Sequence, residues 1–172
     1  MVAVIVMGVS GSGKSTLGAA LADRLGVTFV DADDLHPRTN VAKMAAGEPL
    51  DDADRLPWLA AVGRRLRVGS PVIACSALKR DYRDYLRAVW PAVVFIHPEA
   101  PRDELIARIA ARSDHFMPAS LLDSQLATLE PLQADEAGVT IDATRPVLEM
   151  VGTSQLWISD FVMSASPDTI ER

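Results

Sequence analysis

Gly8-Val9-Ser10-Gly11-Ser12-Gly13-Lys14-Ser15 fits the spacing G-x-x-x-x-G-K-[ST], between an apolar run and a segment of helical periodicity. Glycines so spaced let successive backbone N–H groups converge on one anion. A helix beginning near Lys14 turns the positive end of its dipole toward the same point. Such a cradle suits a nucleotide β-phosphate, which makes Gly8, Ser10, Gly11, Ser12 and Gly13 binding residues through their backbone. Lys14 is placed to bridge the β- and γ-phosphates, Ser15 to put its hydroxyl on Mg²⁺, and Thr16 to reach the α-phosphate. The plain alternative is a glycine-serine turn that only joins a strand to a helix.

A second acid for Mg²⁺ is expected at the end of another buried strand. The run Val72–Cys75 ends in Ser76 instead, whereas Val30-Asp31-Ala32-Asp33-Asp34 brings acids to the end of the second apolar run. If that stretch is extended, Asp31 and Asp33 project alike, so that one could serve the metal through water while the other accepts a hydroxyl proton. A solvated acidic turn is the alternative.

The elements that must position these groups are legible in the hydrophobic pattern. Short runs rich in Val and Ile at 2–7, 27–30, 71–75, 92–96 and 139–141 read as strands buried on both faces. Between them, Leu17, Leu21 and Leu25 share a helical face, as do Leu56, Leu59, Val62 and Leu66, and Leu105 with Ile109. Further helices are expected over 79–89, 121–129 and from Pro146 onward. This alternation predicts a doubly wound α/β sandwich with ligands at the carboxyl ends of the strands. Polar stretches at 31–54 and 112–120 break the rhythm and are candidate flaps, and a frayed tail is expected from Ser164. His97, before Pro98, reads as a loop residue and Cys75 as a small buried one.

Composition bounds the function. At 172 residues, 49% of them hydrophobic, one domain over 1–172 is expected, and a net charge of −6 argues against binding a nucleic-acid backbone. The single cysteine excludes an intramolecular disulfide and a multi-cysteine zinc site. The opening apolar run is too short to span a bilayer and lacks preceding basic residues, so a cytoplasmic protein without a membrane partner is expected.

The phosphate loop together with Asp31-Ala32-Asp33, His36-Pro37-Arg38, Asn40, Lys43-Met44 and Gly47-Glu48-Pro49-Leu50 resembles the bacterial gluconate kinases of the P-loop type. Asp52, Asp54-Arg55, Pro57-Trp58-Leu59, Cys75-Ser76-Ala77-Leu78-Lys79, Tyr82-Arg83, His115-Phe116-Met117, Gln125, Leu129-Glu130-Pro131 and Asp135-Glu136 continue the pattern in order over nearly the whole chain. Two stretches depart from it: Ser113-Asp114-His115, where a glycine often precedes the histidine, and Leu132-Gln133 in place of proline-glycine.

The resemblance implies a three-layer P-loop kinase sandwich similar to shikimate and nucleoside monophosphate kinases, with a parallel five-stranded sheet ordered 2-3-1-4-5. It implies a substrate-side segment at about 34–68, a mobile lid at about 112–120, and transfer of the γ-phosphoryl group of ATP to the 6-hydroxyl of D-gluconate. On that analogy Asp31 holds Mg²⁺ through water and Asp33 binds the attacking hydroxyl. Arg55 is the first choice for the substrate carboxylate, with Lys79, Arg83 and Arg38 in reserve, while His36 and Ser76 line the acceptor site. Arg108 and Arg112, four apart, would reach the phosphates from the lid, Arg108 having a surface ion pair with Asp103 or Glu104 as its alternative. Thr144, Arg145 and Pro146 would hold the adenine, and a homodimer is implied. Another acceptor, such as shikimate, or a nucleotide-dependent switch would be the competing functions. The blocks around His36, Arg55 and Ser76 disfavour the first, and the lack of an Asn-Lys-x-Asp motif disfavours a guanine-nucleotide switch.

Overall fold

The structure, a computed structural model, describes residues 2–111 and 119–165. Strands and helices alternate along the chain: β1 (Ala3–Val6), α1 (Lys14–Leu25), β2 (Phe29–Asp31), a 3-10 turn (Ala32–Leu35), α2 (Arg38–Ala45), α3 (Asp52–Leu66), β3 (Val72–Ala74), α4 (Arg80–Val89), β4 (Val93–Glu99), α5 (Arg102–Ala110), α6 (Ala119–Thr128), β5 (Gly138–Asp142) and α7 (Val147–Ala165). All five strands pair in parallel in the order β2-β3-β1-β4-β5. Parallel neighbours need crossover helices, and these cover both faces, which is why the inner strands β1 and β3 carry no polar residue and β2 carries one only at its end, Asp31.

The two-residue period of a strand divides the core. Ala3, Ile5 and Met7 point to one face, where they meet Trp58, Leu59, Val62 and Leu66 of α3 and Leu86 of α4. Val4 and Val6 point to the other, against Leu17 and Leu21 of α1 and Met150, Val151 and Ile158 of α7. Cutting a fully buried leucine such as Leu17 to alanine is expected to cost about 2–5 kcal/mol.

Several sequence expectations shift. Leu56 is exposed, although its spacing had placed it on the apolar face of α3. That face is centred on Val62 and includes Trp58; at about 100° per residue Leu56 lies roughly 120° away from Val62. The stretch 31–54, expected as a break, contains the 3-10 turn and α2, and α2 is tied to α3 by Lys43 Nζ on both carboxylate oxygens of Asp54 (2.8 and 2.7 Å). His97 lies inside β4, buried, not in a loop. Pro98 is tolerated there because β1 stops pairing at Ile96, leaving β4 with β5 as its one neighbour. Of the expected lid, residues 112–118 lie outside the described residues, as does the tail from 166.

Candidate active site

β1 is central in the sheet, with β3 on one side and β4 on the other, so the loop leaving it emerges where the strand order reverses. The backbone there is unusual. Gly11 has φ +80°, and a Cβ on it would sit 2.8 Å from the Leu105 carbonyl oxygen, so both conformation and space require glycine. Gly13, at φ +87°, is the N-cap of α1 and makes no side-chain cap, which leaves the first N–H groups of the helix for an external anion. Ser12 Oγ is buried without a hydrogen-bond partner among the described residues, and Lys14, half-buried, makes no ion pair among them. A cradle with free donors and a side-chain oxygen short of a partner fits a polyphosphate.

The acid pair is built differently from the extended arrangement expected. Asp31 ends β2 and turns back as the N-cap of the 3-10 turn, its Oδ1 accepting from Asp33 N (3.1 Å). The chain turns after Asp31, so strand alternation does not align the two carboxylates. Asp31 Oδ2 accepts instead from Ser15 Oγ at 2.7 Å, which joins β2 to the start of α1. A serine hydroxyl and a carboxylate held together beside a phosphate cradle are the hard oxygen donors that suit Mg²⁺. Asp33, on the exposed turn, is left free of that contact.

Facing the acids are the N-terminus of α3 and the end of β3. Arg55 lies on the inward stripe of α3, three and seven residues before Trp58 and Val62, so the fold carries its charge toward the site instead of into water. Its guanidinium lies 5.8 Å from the Tyr82 ring centroid and makes no ion pair among the described residues. Lys79, by contrast, bonds both oxygens of Asp52 (2.7 and 3.0 Å), and Tyr82 Oη donates to the same carboxylate. Lys79 first and Tyr82 second hold Asp52 below the ordinary aspartate range. Lys79 is also the N-cap of α4, just before the helix that was expected to begin at 79. Arg38 opens α2, exposed.

His36 stacks on Trp58, ring centroids 4.5 Å apart and planes within 5°. Burial pulls its pKa below the usual histidine range, Asp33 opposing and Arg55 adding to the shift, which puts the imidazole within electrostatic reach of both. Ser76, half-buried, follows β3, and its carbonyl accepts from Gly8 N (3.1 Å), joining the two strand ends. Ala77 then adopts φ +41°, a strained conformation for a residue with a Cβ.

Arg83 requires a correction. It is fully buried and bonds Glu136 through Nε (2.6 Å) and Nη2 (2.9 Å), while Nη1 donates to the carbonyls of Ala77 and Leu78 (both 3.2 Å). These bonds occupy its donors, so it braces the strained turn and is not left for substrate. Arg80 and Arg87 are likewise engaged by acids, Arg80 with Asp84 and Asp135 and Arg87 with Asp84.

On the nucleotide side, Arg108 Nε bonds Glu104 (3.0 Å), the ion pair weighed from sequence, yet Nη2 reaches the Ala143 carbonyl (2.7 Å). Its Nη1 also passes 3.9 Å from where a Gly13 Cβ would lie, so Arg108 spans from the cradle to the loop after β5. Asp142 accepts from both Thr144 N (2.8 Å) and Thr144 Oγ1 (2.6 Å), fixing the start of the exposed Thr144-Arg145-Pro146 segment. Arg112 lies outside the described residues. Sequence reading gave Gln125 no role, but its Oε1 accepts from Ser10 N at 2.7 Å, reaching the phosphate loop from α6.

The parallel sheet in this order, with the glycine loop leaving its central strand, defines a P-loop kinase fold. A family model described as an AAA domain matches residues 4–132. A gluconokinase of Gluconobacter oxydans (strain 621H) is 47% identical over 147 residues, 83% of each chain. The structure of a gluconokinase from Sinorhizobium meliloti 1021 superposes with a TM-score of 0.88 at 42% identity, covering 96% of this chain and 98% of that one. A shikimate kinase from Bacteroides thetaiotaomicron shares the fold at a TM-score of 0.71 and 18% identity, over 92% and 98% of the two chains. The chain belongs to the gluconokinase family.

Proposed function

We propose that the protein transfers the γ-phosphoryl group of ATP to the 6-hydroxyl of D-gluconate, giving 6-phospho-D-gluconate and ADP. The observation that carries this reading is the convergence, at the carboxyl edge of the sheet, of a phosphate cradle, an acid pair and the Arg55 guanidinium, which donates to the Leu50 carbonyl through Nε but has no ion-pair partner among the described residues. A donor phosphate, a reacting hydroxyl and a substrate carboxylate each find the group that their chemistry requires.

The cradle holds the triphosphate through the loop's remaining backbone N–H groups, those of Gly8 and Ser10 being committed to Ser76 and Gln125 and that of Ser12 to Val9, and through Lys14, Ser15 and Thr16, with Arg108 beside it and Thr144–Pro146 at the base. Arg112 is assigned to the phosphates by family resemblance. Ser15 and, through water, Asp31 are the residues that would hold Mg²⁺, which when bound neutralises charge on the phosphate oxygens. Asp33 receives the 6-hydroxyl and orients it. Phosphoryl transfer depends chiefly on alignment and charge neutralisation, so a fixed acceptor for the hydroxyl proton matters even if the proton leaves late. Arg55 takes the carboxylate, since Lys79 is already neutralised by Asp52. His36, Ser76 and Arg38 complete the acceptor side.

The same reading carries one kinase domain over 1–172, acting in the cytoplasm as a homodimer. No helix among the described residues is long and apolar enough to cross a membrane. ADP release in the presence of Mg·ATP and a panel of sugar acids, sugars, shikimate and nucleoside monophosphates tests the activity. Acceptor-dependent turnover confined to gluconate, with 6-phosphogluconate as product, is expected; turnover confined to another acceptor would discard the assigned pocket.

A further inference from the structure

Asn40 is 2% exposed on α2, and its amide is committed on two sides. Nδ2 lies 2.8 Å from the Asp54 carbonyl oxygen and 3.3 Å from His36 Nδ1. A carbonyl carries no proton, so the amide nitrogen, not the amide oxygen, must face Asp54; the reverse orientation would set two acceptors against each other. With one hydrogen donated there, the second points at His36 Nδ1. That nitrogen must then present a lone pair, and the imidazole proton resides on Nε2.

The ring is fixed in a second way. Trp58, fully buried, holds it by face-to-face stacking, and the same indole donates from Nε1 to the Ala32 carbonyl at 2.6 Å, the peptide between the two acids. One side chain thus sets both the plane of the imidazole and the turn that presents Asp31 and Asp33.

We propose that His36 is a fixed neutral Nε2–H donor to a hydroxyl oxygen of the acceptor's polyol chain, with Asn40 setting its tautomer and Trp58 its plane. The proposal rests on the acceptor reading above and adds how the pocket recognises the interior of the sugar acid. Arg55 takes the carboxylate, Asp33 the reacting hydroxyl, and an uncharged N–H selects for an oxygen lone pair between them. Asp33 and Arg55 are the charged groups that face His36 with opposed effects, and burial adds to Arg55 in favouring the neutral ring. Asn40 and Trp58 act through His36 and are positioning residues. A donor held this way discriminates against an acceptor without the matching hydroxyl, because a partly buried N–H would lose its partner.

The test is ¹⁵N NMR of the histidine-labelled full chain, with the His36 signals assigned by their loss in His36→Gln. A pyrrole-type Nε2 and a pyridine-type Nδ1 are expected at neutral pH, with the Nε2–H signal moving on gluconate addition; a proton on Nδ1, or an Nε2–H unmoved at saturating gluconate, would overturn the proposal. Asn40→Leu removes the donor to Nδ1 without adding a charge. It is expected to let the proton populate Nδ1 and raise the KM for gluconate roughly ten-fold, while the KM for ATP stays within about two-fold. A moved proton with an unchanged gluconate KM would also overturn it. Should the wild-type protein phosphorylate some other acceptor, the acceptor reading fails, whereas the tautomer is read independently of turnover.

Discussion

Ser15 Oγ and Asp31 Oδ2, sixteen residues apart in the chain, are 2.7 Å apart in the structure. The contact fixes the first turn of α1 against the end of β2, so the hydroxyl and the carboxylate form one unit. Ser15→Ala and Asp31→Asn are each expected to raise the Mg²⁺ concentration needed for half-maximal turnover. Because both act on one site, the double variant should be little worse than the poorer single one. Mg²⁺ titrations of ADP release check this; additive effects would separate the two residues.

Asp33 sits on an exposed turn and joins its hydrogen bonds through the backbone alone, N–H to Asp31 Oδ1 and carbonyl from His36 N, while its carboxylate accepts none of them. Asp33→Asn should therefore leave nucleotide affinity and thermal stability near wild type. Turnover should fall by about 10²–10⁴, the range for loss of a positioned proton acceptor. Calorimetric nucleotide binding beside steady-state rates decides it, and near-normal turnover would remove Asp33 from its assigned role.

Arg55 and Lys79 both lie over the Tyr82 ring, at 5.8 and 5.5 Å, but among the described residues only Lys79 has a carboxylate partner, in Asp52. Arg55→Ala should raise the KM for gluconate by roughly 10- to 100-fold, the scale of a charged hydrogen bond, with little change for ATP. Lys79→Ala should change it only a few-fold. Equal effects on both substrates for Arg55→Ala, or the opposite ranking of the two variants, would move the carboxylate site.

The contrast between Arg55 and Arg83 shows where sequence stops being informative. Both occupy the apolar stripe of a helix, Arg55 with Trp58, Leu59 and Val62, Arg83 with Tyr82 and Leu86. Pattern alone marks each as a charge directed inward. Whether an acid waits there depends on long-range placement: Glu136, 53 residues on, meets Arg83, and no such partner meets Arg55 among the described residues. The phosphate loop was legible because its chemistry is local, every group lying within one strand–turn–helix unit. The sheet order 2-3-1-4-5 came from resemblance, and the strands from short β-branched runs. The N-cap turn at Asp31 was not legible, since alternation describes a strand and not the residue where it ends. Gln125 on Ser10 depends on how α6 packs against the loop, which no spacing encodes.

Trp58 joins the recognition side of the site to the catalytic side through one bond to Ala32 and one stack on His36. Trp58→Phe keeps most of the apolar volume and the stacking face but removes the donor to the Ala32 carbonyl. Burying that carbonyl unpartnered should cost about 1–3 kcal/mol of stability. Because the carbonyl lies between the acids, kcat should fall more than the KM for gluconate rises. Thermal unfolding with steady-state kinetics checks both, and a loss confined to stability would limit Trp58 to the core.

The Arg83–Glu136 pair makes stability depend on pH in a direction that can be worked out. Burial alone would push the Glu136 carboxyl up, but the Arg83 hydrogen bond and that from Gln133 N more than reverse it, so the folded value lies below the ordinary glutamate range. A group depressed on folding contributes its full stability above the unfolded pKa, about 4.3 for glutamate. It loses that contribution as pH falls through the lower folded value. Removing one partner of a fully buried pair costs roughly 3–5 kcal/mol, and Glu136→Gln, which retains an acceptor, should fall near the lower figure at pH 7. Denaturant unfolding of wild type and variant should show that gap at pH 7 and a smaller one below pH ~4. The strained Ala77 turn hangs from the same guanidinium, so the variant should also bind gluconate less tightly at temperatures where it remains folded. A stability gap that stayed constant down to pH ~3 would mean that the carboxylate's charge is not what holds Arg83 and the turn in place.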